Sequence, residues 1–167
     1  SVIPIYVSGK PRPSIRVNPS STVCVGSNTL IQSTSSYGGI VTPTGGGNST
    51  CDNTGKQVWK IEQSTGYTLL SGNYGSLKNN TLNGFLWSNG SPALGVVFNT
   101  TGTYTSKIYV FNERCGIDST TQDVCVRNPP VANYTMSSRT VCNSGSAVFT
   151  NTSPAGLCLG DSYEWTV

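Results

Sequence analysis

Polar and apolar residues alternate with a period of two along much of the chain, which is the spacing of β-strands with one buried face. The clearest run covers residues 104–112, in which Tyr104, Ile108 and Val110 fall on one face and Lys107 falls on the other. No stretch repeats apolar residues at the i, i+3, i+4, i+7 spacing of an amphipathic helix. We therefore expect essentially no α-helix.

Further segments with strand character follow one another at short intervals and are separated by turn residues. They cover residues 14–17, 25–33, 57–63, 67–71, 94–99 and 119–126. The last of them follows the 104–112 run after a short connection that contains glycine, which predicts an antiparallel hairpin. About seven short strands with frequent turns predict an all-β chain folded as a β-sandwich.

One segment of the chain recurs. Residues 22–35 and 140–153 both begin with Thr-Val-Cys, continue through a polar turn and end in a strand that closes with Thr-Ser. A tryptophan follows each copy, Trp59 and Trp165, and a cysteine precedes each tryptophan by eight and seven residues, respectively. We expect both tryptophans to be core residues of a sandwich.

A recurrence of this kind predicts a tandem array of modules. The expected division is the last strand of a preceding repeat over residues 1–9, one complete module over 10–127, and the N-terminal part of the next repeat over 128–167.

The composition excludes several classes of function. Charged residues make up 10% of the chain, against about 25% in typical globular proteins, and the net charge of +3 is not gathered into a basic patch. We therefore expect no nucleic-acid partner. The chain has no histidine, which removes Ser-His-Asp and Cys-His catalysis and the commonest zinc ligand. We expect no enzyme activity, no cofactor, no metal and no transmembrane segment.

Six cysteines in a chain with few charges and many Ser, Thr and Asn residues favour an extracellular protein with disulfides. Several landmarks along the sequence carry a more specific resemblance. They are the Pro-Pro-Val-Ala-Asn-Tyr segment at 129–134, Thr-Val-Cys at 140–142, Phe-Thr-Asn-Thr-Ser at 149–153, the run from Cys158 to Val167, and the Gly-Thr-Tyr-Thr strand at 102–105 that leads to Cys115. With these landmarks the chain resembles the PKD-type immunoglobulin-like repeats of Bacteroidota surface proteins.

The resemblance implies an immunoglobulin-like β-sandwich that acts as a non-catalytic structural repeat of a large secreted adhesin at the cell surface. In that family such chains serve attachment and gliding motility, and many are exported by type IX secretion. The implied partners are neighbouring repeats, a polysaccharide or other substratum, and secretion or surface-anchoring proteins. Two alternatives stay open, namely a carbohydrate-binding module and an accessory domain of a secreted hydrolase.

The immunoglobulin-like topology also implies a cysteine pairing. It brings the start of the second strand near the end of the last one, which favours Cys24 with Cys125, and it favours Cys51 with Cys115 at the opposite end. A bond between Cys24 and Cys51 stays open if the long connection between them folds back. By the repeat, Cys142 and Cys158 have their partners beyond residue 167, and they are then either free in this chain or paired with each other.

Three residues are candidates for contact with other molecules. Trp87 lies among polar loop residues, and an exposed aromatic ring there, with Tyr74 upstream, would suit stacking against a sugar. The competing interpretation is that residues 85–87 form an internal strand or a cap on the core. Ser119 lies in an Asp-Ser-Thr triplet that resembles the Bacteroidota acceptor pattern for O-glycosylation.

Overall fold

The computed structural model describes residues 7–38, 40–41, 55–155, 162 and 164–166. In this part of the chain the only helical segments are two short 3-10 turns, Lys78–Asn80 and Gly84–Leu86. The strands are β1 (Val7–Ser8), β2 (Ile15–Asn18), β3 (Thr22–Cys24), β4 (Asn28–Ser33), β5 (Ile40–Val41), β6 (Gly55–Ile61), β7 (Tyr67–Ser71), β8 (Ala93–Phe98), β9 (Gly102–Asn112), β10 (Gly116–Arg127), β11 (Tyr134–Met136) and β12 (Phe149–Asn151).

Two four-stranded sheets form the main body. One has the strand order β2-β4-β8-β7, and the other has the order β3-β10-β9-β6. All neighbours in these sheets are antiparallel except β3 and β10, which run parallel. The prediction of an all-β, sandwich-like fold is confirmed, and the seven predicted strands lie within about three residues of observed ones.

The core lies between the two sheets, and the alternation along β9 shows how the sequence specifies it. Ile108 and Val110 have no exposed surface and Tyr104 is buried, whereas Lys107 on the other face is half-buried. Trp59 on β6 is 3% exposed and joins the same cluster, as predicted. Burial of one face of each strand fixes which residues face inward.

The chain passes from one sheet to the other between β2 and β3. The peptide bond before Pro19 is cis, and β3 then runs beside the end of β10. A tight turn at Gly26, whose φ is +81°, leads back into β4, and the Ser27 amide donates to the Cys24 carbonyl oxygen at 3.1 Å. Both ends of residues 22–127 therefore meet in one pair of strands.

The internal repeat in the sequence is also a repeat in the structure. The pair β11–β12 has the same register as the pair β2–β4, shifted by 119 residues on the first strand and 118 on the second. Three residue pairs correspond: Ile15–Ser33 to Tyr134–Asn151, Arg16–Gln32 to Thr135–Thr150, and Val17–Ile31 to Met136–Phe149.

Hydrogen bonds that flank the two strand pairs correspond as well. The Thr34 amide donates to the Ser14 carbonyl oxygen at 2.9 Å, and the Thr152 amide donates to the Asn133 carbonyl oxygen at 3.0 Å. After the Thr-Val-Cys segment, the Gly145 amide donates to the Cys142 carbonyl oxygen, as Ser27 does to Cys24. Ser14 and Ser35 exchange the same two bonds as Asn133 and Ser153. Similar sequence thus gives similar local structure in both copies.

The two copies differ in burial. Ile31 has no exposed surface, whereas its counterpart Phe149 is 46% exposed. Trp165 is 51% exposed, so the expectation that it is a core residue is wrong; its ring contacts those of Tyr134 and Phe149 at centroid distances of 6.0 and 6.1 Å. The second copy has the strand pair but, among the described residues, not the opposing sheet that buries the first.

The proposed division into residues 1–9, 10–127 and 128–167 stays a prediction. The short strand β1 pairs with β5, so that Val7 lies opposite Val41.

Candidate functional site

The residues proposed for ligand contact lie in the long connection between β7 and β8, residues 72–92, which we call the 72–92 loop. The loop begins and ends in the β2-β4-β8-β7 sheet but lies against β6 and β9 of the other sheet. Its function depends on which of its side chains face the sheet and which face solvent.

The loop provides hydrogen-bond partners for backbone groups at the open edge of β6. The Gln57 amide donates to Asn89 Oδ1 at 2.8 Å, the Gly90 amide donates to the Gln57 carbonyl oxygen at 2.7 Å, and the Trp59 amide donates to the Tyr74 carbonyl oxygen at 2.8 Å. An edge strand otherwise presents unpaired backbone groups that attract other strands. The loop thus protects this edge.

One carbonyl group of the loop accepts hydrogen bonds from two buried side chains of β6. The Ser91 carbonyl oxygen accepts from the Trp59 indole Nε1 at 2.8 Å and from Gln57 Nε2 at 2.7 Å. The other amide atom of Gln57, Oε1, accepts from the Tyr37 hydroxyl at 3.0 Å. The buried amide of Gln57 is therefore hydrogen-bonded at both ends, as a buried polar group needs to be.

Beyond the β6 edge, the loop covers a second, smaller apolar cluster on the outer face of the sheet. Its buried members are Val58, Trp87 and Phe111. The Trp87 ring lies 6.0 Å from Phe111 and 6.2 Å from Tyr109 between centroids. Val58 and Phe111 project from the outer face of their strands, and this explains why the sheet needs an apolar cover there.

The expectation that Trp87 is an exposed stacking residue is wrong. Its side chain is 3% exposed, and its indole Nε1 points towards the Thr81 carbonyl oxygen at 3.3 Å. In the structure this segment instead caps an apolar cluster, as in the competing interpretation. Polar loop residues surround Trp87 in sequence, but the loop folds back and turns the ring onto the sheet.

Tyr74 is half-buried and packs against the main core, whereas Trp87 belongs to the second cluster. Burial raises the pKa of the Tyr74 hydroxyl above its ordinary value of 10.0, and a hydrogen bond with Tyr67 raises it further. The two predicted residues thus lie in different clusters rather than on one binding face.

The exposed apolar residues of the loop are ones that the sequence analysis did not select. Phe85 is 60% exposed, and Leu82 and Leu86 are also exposed. The Phe85 amide donates to Asn83 Oδ1 at 3.2 Å, and the Phe85 ring meets Phe111 edge-on at 5.0 Å. The Asn-Gly pair before Phe85 was the available signal, because it marks a tight turn that presents the next side chain.

The predicted bond between Cys24 and Cys125 is wrong. Cys24 is a free thiol, whereas Cys125 is bonded in a disulfide. The strands do lie side by side as expected, but Cys125 is opposite Thr22 and Cys24 is opposite Arg127. With strands about 4.8 Å apart and a rise of about 3.3 Å per residue, an offset of two residues places the two Cα atoms about 8 Å apart, beyond the usual range of a disulfide.

The other cysteine predictions involve two residues outside the described part of the chain. Cys51 and Cys158 lie outside the described residues, so the pairing of Cys51 with Cys115 stays a prediction. Cys115 lies at the β9–β10 turn, where its amide donates to Asn112 Oδ1 at 3.2 Å. Cys142 is an exposed free thiol.

Ser119 is exposed on β10, and its amide donates to Asp118 Oδ1 at 2.7 Å. Its hydroxyl group is accessible, and its glycosylation stays a prediction. No helix in the described part of the chain is both long and apolar enough to cross a membrane. No group of three potential metal-ligating side chains occurs among the same residues.

Comparison with known proteins gives no relative: no family model, no curated protein and no solved structure matches this chain.

Proposed function

We propose that the chain is a non-catalytic structural repeat of a large secreted cell-surface adhesin, built from PKD-type immunoglobulin-like modules. The strand orders support this assignment. If β2, β4, β8 and β7 are equated with strands A, B, E and D, and β6, β9 and β10 with C, F and G, the two sheets follow the immunoglobulin arrangement. The buried Trp59 on the C-equivalent strand is also typical of that fold.

The observation that carries the structural role is the parallel pair β3–β10. These strands lie near the beginning and the end of the complete module. Tension on the chain pulls β10 by its C-terminal end, and at the other end it reaches β2 first and pulls β3 by its N-terminal end once β2 has separated from β4. Because they run parallel, the load acts along their common axis. It is then shared by bonds across the pair, such as Cys125 amide to Ser21 oxygen at 2.7 Å and Val25 amide to Arg127 oxygen at 2.9 Å.

Single-molecule pulling on the 167-residue chain from its two ends tests this role. Substitution of Val25 by proline removes one bond across the loaded pair, and we expect a lower unfolding force. Leu69→Ala is the matched control, because Leu69 packs against the core from β7 and lies in the sheet that does not contain the loaded pair. Equal unfolding forces in Val25→Pro and the wild-type protein would remove the mechanical argument.

The disulfide at Cys125 supports an extracellular location, since such bonds persist in oxidising compartments. The structural recurrence of residues 14–35 at 133–153 supports the role as one unit of an array, because repeat proteins reuse the same local structure. Attachment and gliding motility remain part of the proposal through the resemblance alone.

Carbohydrate binding is the second candidate, and the exposed ring of Phe85 is the observation that favours it. A glycan array with the wild-type chain and Phe85→Ala tests it. We expect the wild-type chain to bind glycans and Phe85→Ala to lose that binding. No binding by the wild type, or binding that persists in Phe85→Ala, excludes this loop as a glycan site.

A further inference from the structure

The strand pair β11–β12 carries an apolar surface that its counterpart in the first copy buries. Tyr134, Met136 and Phe149 project from one face of the pair, and Trp165 lies against it. All four are exposed, with Phe149 at 46%. We call these four residues the aromatic face. The opposite face of the pair carries threonine residues, so the pair has the two-sided pattern of a sandwich layer.

The backbone of β12 has an open edge next to this face. On β12 and its flanking residues, the hydrogen bonds towards β11 are made at even-numbered positions. The Val148 oxygen accepts from the Ser137 amide, and the Thr152 amide donates to the Asn133 oxygen. In an antiparallel pair the intervening residues direct their N–H and C=O groups to the other side. No strand among the described residues pairs with β12 there.

The first copy shows what fits such an edge. There the equivalent strand β4 pairs antiparallel with β8, Ile31 lies opposite Leu94, and the Ser33 amide donates to the Pro92 oxygen at 2.8 Å. Along β8 the residues Leu94, Val96 and Phe98 are buried, and the residues between them are only half-buried. The counterparts of Ile31 and Ser33 on β12 are Phe149 and Asn151.

We propose that the aromatic face and the open edge of β12 together form a docking site for one antiparallel β-strand with a large apolar residue at every second position. The strand pairs with β12 as β8 pairs with β4, and its apolar side chains cover the aromatic face. This inference deepens the proposed function and rests on it, because such a strand is what the remainder of a repeat would supply.

A synthetic peptide with the sequence of residues 91–99, labelled with a fluorophore, probes the site on the full chain. Fluorescence anisotropy is expected to rise to saturation with increasing protein. A control peptide with Leu94→Ser, Val96→Ser and Phe98→Ser keeps the backbone but loses the apolar pattern. We expect it to bind at least about tenfold more weakly, since each large apolar side chain contributes more than a factor of ten when buried.

Two protein variants test separately how the aromatic face and the open edge of β12 contribute to peptide binding. Phe149→Ser removes an apolar side chain from the face, and Asn151→Pro removes an N–H group from the edge without touching the bonds to β11. Phe149→Ser is expected to weaken peptide binding at least about tenfold, and Asn151→Pro about two- to tenfold. Leu70→Ser, at an exposed apolar residue of β7, is expected to bind like the wild type.

No saturation with the wild-type chain would overturn the proposal, as would binding by Phe149→Ser or Asn151→Pro that equals binding by the wild-type chain. Self-association of the chain that Phe149→Ser abolishes, seen by light scattering without any peptide binding, would overturn it in favour of a second copy as the partner. Since the pulling comparison of Val25→Pro with the wild type concerns the β3–β10 pair and not β12, its outcome shows separately whether the structural role of the complete module stands.

Discussion

Replacement of Trp87 by alanine distinguishes a structural tryptophan from a ligand-binding one. If the ring served a ligand, its removal would leave stability nearly unchanged. The structure instead buries it between the 72–92 loop and the outer face of the sheet, beside Phe111 and Tyr109. We therefore expect Trp87→Ala to destabilise the fold.

The size of the effect follows from the burial. An aromatic side chain of this size buries about 150–250 Å², which at about 25 cal/mol per Å² gives an upper bound of about 4–6 kcal/mol. Measured losses for Trp→Ala in cores are about 3–5 kcal/mol. Because Trp87 lies under a loop that can partly collapse, and not between two sheets, we expect the lower end, about 3 kcal/mol.

Urea unfolding followed by circular dichroism measures this loss. With a slope of about 1.5 kcal/mol per molar, the midpoint is expected to fall by about 2 M. Phe85→Ala is the matched control, since Phe85 lies two residues away in the same loop and is 60% exposed. If Trp87→Ala lowered the midpoint no more than Phe85→Ala, the assignment of Trp87 to a buried cluster would be refuted.

Three further predictions concern the loop, the tyrosine hydroxyl and the cysteines. Asn89→Ala removes the oxygen that accepts a hydrogen bond from the backbone N–H of Gln57. We expect the free energy of unfolding to fall by about 1–2 kcal/mol and hydrogen exchange at this backbone N–H to become faster; unchanged exchange would contradict the contact of the loop with the β6 edge. The raised pKa of Tyr74 means that the folded state keeps its proton where the unfolded state loses it. The contribution of Tyr74 to stability should therefore be constant below about pH 10 and fall above it, and Tyr74→Phe should reduce that fall in a pH series of urea titrations. Non-reducing peptide mapping should find Cys125 in a disulfide and Cys24 alkylated without prior reduction, and a Cys24–Cys125 peptide would contradict the register of β3 on β10.

The strands and their inward faces were predictable because alternation is a local property of the sequence. The 67–71 strand has the predicted bounds, and along β9 the residues Tyr104, Ile108 and Val110 are buried as their spacing indicates. The recurrence of the Thr-Val-Cys segment likewise predicted a structural repeat, since similar short sequences in similar contexts form the same turn and strand pair.

The candidate site was not predictable to the same degree. Trp87 has polar neighbours in sequence, and nothing local indicates that the 72–92 loop folds back over Val58 and Phe111. Phe85, two residues earlier, has nearly the same neighbours and ends up exposed. The difference between the two rings arises from a turn of the loop and from a strand that lies far away in sequence.

The sequence by itself determined the class of fold, the inner face of each long strand and the recurrence of one strand pair, because these depend on residue spacing along one segment. Only the tertiary structure decided that Cys24 and Cys125 lie diagonally, and that Ile31 is covered while Phe149 is exposed. These properties depend on the register between separate strands and on whether a second sheet packs on the first. Such contacts join residues distant in the chain, and their energies are set by packing rather than by local preference.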